Sequence, residues 1–328
     1  MRVHVARLGL GPHEDDPADR FEQLAQIDRF GEHSVSANPD AADLILFPQC
    51  HMLPGDWRLR AIRDHPLNKR FAEKVVIYDE RDRTWCAFPG VYVSMPERDF
   101  DTRYQRAWAY FPVPRREFSR RPDLLFSFVG SPSSRCRKPL FGLNHAEAVV
   151  EQVRGFTFYD PTSLDFEPRR ARFEDILHRS RFVLCPRGRG TSSIRLYETL
   201  AAGRVPVIIS DDWVAPRSVN WDEFSIRWPE GRVKGLVETL EERDRDWAEM
   251  SAAAARAHRE FFSPEVWFHR VVELCREIRQ GGAQEQFPRA GIGNRAFLAV
   301  GADFTRWRTS SAIRRRAKRI ARRLGVLQ

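Results

Sequence analysis

The stretch Phe182-Val-Leu-Cys-Pro-Arg-Gly-Arg-Gly-Thr-Ser-Ser-Ile-Arg-Leu-Tyr-Glu-Thr-Leu-Ala-Ala-Gly-Arg-Val-Pro-Val-Ile-Ile-Ser-Asp-Asp-Trp213 decides the fold. Phe182 to Leu184 is an apolar run suited to a strand covered on both faces. Pro186 and Gly188 end it, and Gly188 and Gly190 let the backbone turn sharply against a ligand. Thr191, Ser192 and Ser193 are good residues to open a helix. Gly203 fits the position just past that helix, and Val205 to Ile209 reads as the next buried strand. The segment is therefore a βαβ unit.

The first N–H groups of a helix lack internal partners and carry partial positive charge, so the turn at 188–193 is a ready anion site. Arg187 is placed for a charge-assisted contact to a phosphate, with Arg195 a weaker candidate. Glu198 follows Thr191 by seven residues, roughly 10 Å along a helix, which suits a carboxylate accepting from a ribose diol. Asp211 and Asp212 follow a strand, where loops line ligand crevices. The plain alternative is an ion pair between Glu198 and Arg195 beside a turn that only needs glycine. The P-loop ending and the third glycine of a dinucleotide fingerprint are both missing.

The run Cys185-Pro-Arg-Gly-x-Gly-x-Ser-Ser-x-Arg-Leu-x-Glu198 resembles the exostosin-like glycosyltransferases, as does Ala-Gly-x-x-Pro-Val-Ile-Ile-Ser-Asp-Asp-Trp213. The likeness extends through Asn220-Trp221 and Pro229-Glu230. Upstream, Leu125-Phe-Ser-Phe-Val-Gly130 with Arg135 and Arg137 is similar to the strand and turn opening the family's donor domain. Ala42 to Pro48 is similar to an early strand. The resemblance implies α/β GT-B architecture: two Rossmann-like parallel-sheet domains facing a cleft. It implies a nucleotide-sugar donor in the second domain, an acceptor on the first, inverting transfer, and no metal or other cofactor. Arg187 would face the diphosphate, 191–193 its helix end, and Glu198 the ribose. The implied function is transfer of a hexosyl or glycuronosyl group from a nucleotide-diphosphate sugar to a saccharide or lipid-linked saccharide, as in polysaccharide biosynthesis. A catalytically inactive nucleotide-sugar-binding protein of the same fold is the alternative.

Strand–helix alternation gives an N-terminal domain over 1–122 and a second over 123–282. Residues 283–328 form a C-terminal extension. Residues 11–20 read as a loop, 57–72 as a helix, 111–123 as a linker, and 233–259 and 264–279 as helices. An inverting transfer needs one base to deprotonate the acceptor hydroxyl. Asp79, Glu80 and Asp82 follow the strand Val75 to Tyr78, and His51 follows the strand ending at Phe47; these four are the candidates. The nine histidines and five cysteines show no metal-ligand spacing, so no metal site is expected.

No stretch reaches the ~20 apolar residues of a membrane span, and the first residues do not form a signal peptide. Scattered cysteines in odd number suit a reducing compartment, so a cytoplasmic protein is expected. The net charge of +9 lies entirely in residues 304–328, which hold nine Arg and Lys and no acid. Ile313, Ala317, Ile320 and Leu324 would form one apolar stripe on a helix there. That pattern fits peripheral binding to an anionic membrane at its inner face. A solvated tail or a helix packed on its own domain is the plain alternative, and a basic arm on nucleic acid is a third reading. The body is charge-neutral, so nucleic acid is not an expected partner.

Overall fold

The computed structural model describes residues 1–9, 12–49, 57–82, 86–112, 121–153 and 166–281. Two all-parallel sheets organise them, as the GT-B expectation requires. The first contains β1 (Arg2–Val5), β2 (Ser34–Val35), β3 (Leu44–Gln49), β4 (Val75–Asp79), β5 (Gly90–Tyr92) and β6 (Gln105–Ala107), in the order β2-β1-β3-β4-β5-β6. The second contains β7 (Leu124–Gly130), β8 (Ala148–Gln152), β9 (Ser180–Pro186), β10 (Val205–Ile209) and β11 (Ile226–Arg227), in the order β11-β10-β9-β7-β8. Read from β8, the second sheet repeats the order of the first. Each sheet reverses its winding once, between β1 and β3 and between β7 and β9, and ligands favour such switch points.

Continuous apolar runs explain the central strands. Leu44 to Phe47, Val75 to Tyr78 and Val205 to Ile209 are buried along their whole length, as strands with both faces covered must be. The helices are α1 (Pro12–Gln26), α2 (Trp57–Asp64), α3 (Pro66–Arg70), α4 (Phe166–Arg179), α5 (Ile194–Ala201), α6 (Leu236–Arg243), α7 (Trp247–Ala257) and α8 (Pro264–Gln280). Two differ from expectation. The Pro- and Asp-rich stretch read as a loop is the start of α1, with Pro17 inside the helix. Burial of Ala18 and Phe21 holds the turn despite the lost backbone donor. The helix expected over 57–72 is two short helices, α3 opening at Pro66.

α8 lies within the 123–282 segment yet packs on α1 and the first sheet. Phe21 meets Trp267 and Phe268 edge-on at 5.5 and 5.4 Å, and Trp267 stacks on Phe111 at 4.7 Å. Sequence and spatial boundaries thus part at α8, because its aromatic face completes the first core. Part of the expected linker, 113–120, and the basic tail both lie outside the described residues. No described helix is long and apolar enough to cross a membrane.

Candidate active site

A cleft of about 400 Å³ opens at the switch point of the second sheet. Val129, Gly130, Ser131 and Ser133 reach it from the end of β7, and Gly188 and Arg189 from the turn after β9. Ser192, Ser193, Ile194, Arg195 and Glu198 approach from the start of α5. Asp82 and Tyr110 of the first half complete the lining, so both halves contribute. Ser193 occupies the N-cap position of α5 in extended backbone, and its hydroxyl makes no capping bond. It is free to donate into the cleft. Gly203 has φ +61° behind α5, the left-handed position that favours glycine.

The turn is clamped to the first half. A Cβ on Gly190 would stand 2.8 Å from Ser94 Oγ and 2.9 Å from Asp82 Oδ1, closer than real side-chain carbons come. Thr191 Oγ1 donates to Met95 O at 3.5 Å. Glycine at 190 therefore serves contact between the halves. α5 starts at Ile194, so Thr191 and Glu198 do not share a helix face; Arg195 and Glu198 do. Thr191 is a clamp residue and does not line the cleft.

Five arginines line the cleft, Arg137, Arg169, Arg170, Arg189 and Arg195, and two of them, Arg137 and Arg195, bond backbone carbonyls. Arg137 Nε donates to Arg187 O at 2.9 Å and its Nη2 to Pro186 O at 3.1 Å, fastening the turn from below. Burial, then the neighbouring Arg195, lowers its pKa to about 10. Arg195 Nη2 donates to Val129 O at 2.5 Å, and its guanidinium lies 5.0 Å from the centre of the Phe128 ring. Its Nε and Nη1 are buried without a hydrogen-bond partner among the described residues, and burial lowers its pKa. Buried donors of this kind are costly unless satisfied. An anion in the cleft would satisfy them.

Glu198 is half-buried beside them. Burial raises its pKa to about 7, opposed by Arg195 and Arg170 and aided by Glu174. It also borders a smaller hollow of about 60 Å³ lined by Tyr110, Phe173, Leu177, His178 and Tyr197. The carboxyl is therefore reached from a hollow between the halves and is not sealed in apolar packing.

Several expected site residues stand elsewhere. Arg187 Nε donates to Glu230 Oε1 at 2.6 Å, and the residue is not among those lining the cleft. Asp211 accepts from Glu230 N at 3.2 Å. Asp212 pairs with Arg98 at 3.0 Å, bridging the halves next to an isolated β-bridge between Pro96 and Trp213. Neither aspartate lines the cleft. Among the candidate bases, Asp79 is fully buried and gripped by Arg81, and Glu80 accepts from Tyr78 Oη at 3.3 Å and Phe111 N at 3.0 Å. Both are structural. His51 lies outside the described residues. Of the three described candidates, Asp82 alone is exposed in the cleft.

The sequence reading missed α4. Phe166, Arg169, Arg170, Phe173 and Glu174 line the cleft from it, with Arg170 Nε 2.8 Å from Glu174 Oε1. Arg169-Arg170-x-x-Phe173-Glu174, at i, i+3 and i+4 spacing just before β9, is the signal that could have found it.

Strand order and lining define a polar cleft at the switch point of an α/β protein of two parallel sheets. Residues 111–243 match the Exostosin GT47 domain. The Exostosin-1 homolog of Caenorhabditis elegans is 40% identical over 73 residues, 22% of this chain and 19% of that protein. A probable glycosyltransferase of Arabidopsis thaliana is 32% identical over 136 residues, 41% of this chain and 23% of that protein. The chain thus spans about a fifth of the length of these relatives. Among solved structures, MurG of Acinetobacter baumannii overlaps 84% of this chain and 99% of its own, at 13% identity and a TM-score of 0.36. Residues 111–243 are thus the part of the chain that is similar to the exostosin-like glycosyltransferases.

Proposed function

We propose that the chain is an inverting glycosyltransferase taking its sugar from a nucleotide-diphosphate donor and passing it to a saccharide or lipid-linked saccharide. The observation that carries this is one cleft with Glu198, Ser193, Arg137 and Arg195 on the second-half wall and Asp82 on the first-half wall. Glu198 would accept from the ribose hydroxyls. Arg137, Arg195 and the N–H groups opening α5 would stabilise the departing diphosphate as its charge develops. Asp82 would take the acceptor hydroxyl's proton as its oxygen bonds to the anomeric carbon. The carbon–phosphate-oxygen bond breaks on the opposite face.

The test is a thermal-shift panel of nucleotide-diphosphate sugars, followed by turnover of the donor that binds. Binding to the folded state raises Tm by mass action. The reading predicts that one nucleotide class raises Tm and its sugar is transferred. Binding without transfer to any saccharide acceptor would favour an inactive binding protein. No Tm shift with any donor would remove the proposal. We further propose that residues 304–328 bring the enzyme to an anionic inner membrane face, near a lipid-linked acceptor. Co-flotation with anionic vesicles should fall when 304–328 are deleted; equal flotation would contradict it.

A further inference from the structure

Far from the cleft, α8 brings together residues that the sequence keeps 236 positions apart. His33, directly before β2, meets His269 and Glu273 of α8, and one ligand atom from each lies within 4.8 Å of the others. His269 and Glu273 are one helical turn apart, on one face. His33 Nε2, His269 Nδ1 and Glu273 Oε1 are all buried. His33 Nε2 and Glu273 Oε1 form an ion pair at 2.8 Å, while His269 Nδ1 has no hydrogen-bond partner among the described residues. A buried polar atom without a partner is rare in folded proteins. One cation, taking the place of the imidazole proton between His33 and Glu273, would satisfy all three converging atoms.

We propose that His33, His269 and Glu273 form a structural binding site for a divalent transition metal of the zinc type. Two imidazoles and one carboxylate suit that ion, with a fourth position left for water. Arg276 bonds the other oxygen of Glu273, an outer contact of the kind that orients a metal ligand. The amino group of Met1, 2.9 Å from His33 Nδ1, would have to shed a proton to accept from that nitrogen once Nε2 holds the ion. The His269 ring is fixed between Phe30, stacked at 4.0 Å, and His33, stacked at 4.9 Å. Arg270, within electrostatic reach of Glu273, subtracts from the attraction and keeps the affinity below that of an all-neutral surround. None of the three ligands lines the cleft, so the ion would staple α8 to the β1–β2 edge and take no part in transfer.

Zinc titration of the full chain, first stripped with chelator, tests this by calorimetry and melting. One equivalent should bind. At one hundred times the dissociation constant, the folded-to-unfolded ratio should rise about 100-fold, seen as a higher Tm. Cobalt in place of zinc should give a four- or five-coordinate d–d spectrum. His269→Ala should abolish both effects. Glu273→Gln, nearly isosteric, should keep the fold and lose at least tenfold in affinity. A wild-type chain that takes up no zinc, or variants that bind it as tightly as the wild type, would overturn the proposal.

Discussion

The two sheets share one strand order, yet their switch points carry different chemistry. At the second, glycine-rich turn, helix start and buried guanidinium groups leave a hollow with unsatisfied donors. At the first, Arg7 beyond β1 is tied to Asp19 and Glu22 of α1 at 2.7 Å. The same strand order thus carries an open hollow in one half and an ion-pair cluster at the counterpart position in the other. Within the second half a similar difference separates Arg195 from Arg187: Arg195 has two buried nitrogens without a hydrogen-bond partner among the described residues, whereas Arg187 is paired with a carboxylate.

The sharpest break between the halves is catalytic. If the first half supplies only the base, Asp82→Asn should lower kcat by about 10²–10⁴ while leaving donor affinity within about threefold; steady-state kinetics with a separate donor-binding measurement reads both. Next comes the shared core. Trp267 is fully buried against Phe21, Tyr78 and Phe111, and Trp267→Ala should cost about 3–5 kcal/mol in denaturant unfolding. Protection from hydrogen exchange should fall in the first sheet more than in the second.

The charge of Glu198 provides a third, pH-dependent test. Its pKa is raised by burial to about 7 against 4.5. The folded state therefore holds its proton more tightly than the unfolded, and the stability this gives is present below pH 4.5 and lost as pH rises through about 7. Glu198→Gln should match the wild type near pH 4.5 and exceed it by ~2–3 kcal/mol above pH 7, measured by urea unfolding at both. The smallest effect concerns the closed cation. Arg187→Ala breaks the pair with Glu230 and should change donor affinity less than about threefold, whereas Arg195→Ala should weaken it by tenfold or more.

Legibility in the sequence followed locality. β9, α5 and β10 are contiguous, and their turn, helix stop and flanking strands are where the residue pattern put them, down to the left-handed Gly203. The choice among the arginines was not legible, because Glu230 is 43 positions from Arg187 and its pairing is a tertiary fact. Asp79 and Glu80 looked like crevice carboxylates from a strand end. Arg81, only two residues on, grips Asp79, while the Phe111 backbone, brought in by folding, holds Glu80. The helix through Pro17 and the cleft wall of α4 were hidden by polar composition, since charged residues interrupt the apolar spacing in both. The His33–His269–Glu273 cluster has only a weak local trace, the His269-x-x-x-Glu273 spacing on α8.

The central claim is that Glu198 and the neighbouring arginines hold a nucleoside diphosphate. Calorimetric titration of the nucleoside diphosphate of the preferred donor into wild-type protein, Glu198→Ala and Arg187→Ala measures this directly. The account predicts one site in the wild type, a loss of about 10–100-fold for Glu198→Ala from two charge-assisted hydroxyl contacts, and near-wild-type affinity for Arg187→Ala. Equal affinity for Glu198→Ala and the wild type, or collapse of binding only in Arg187→Ala, would contradict it.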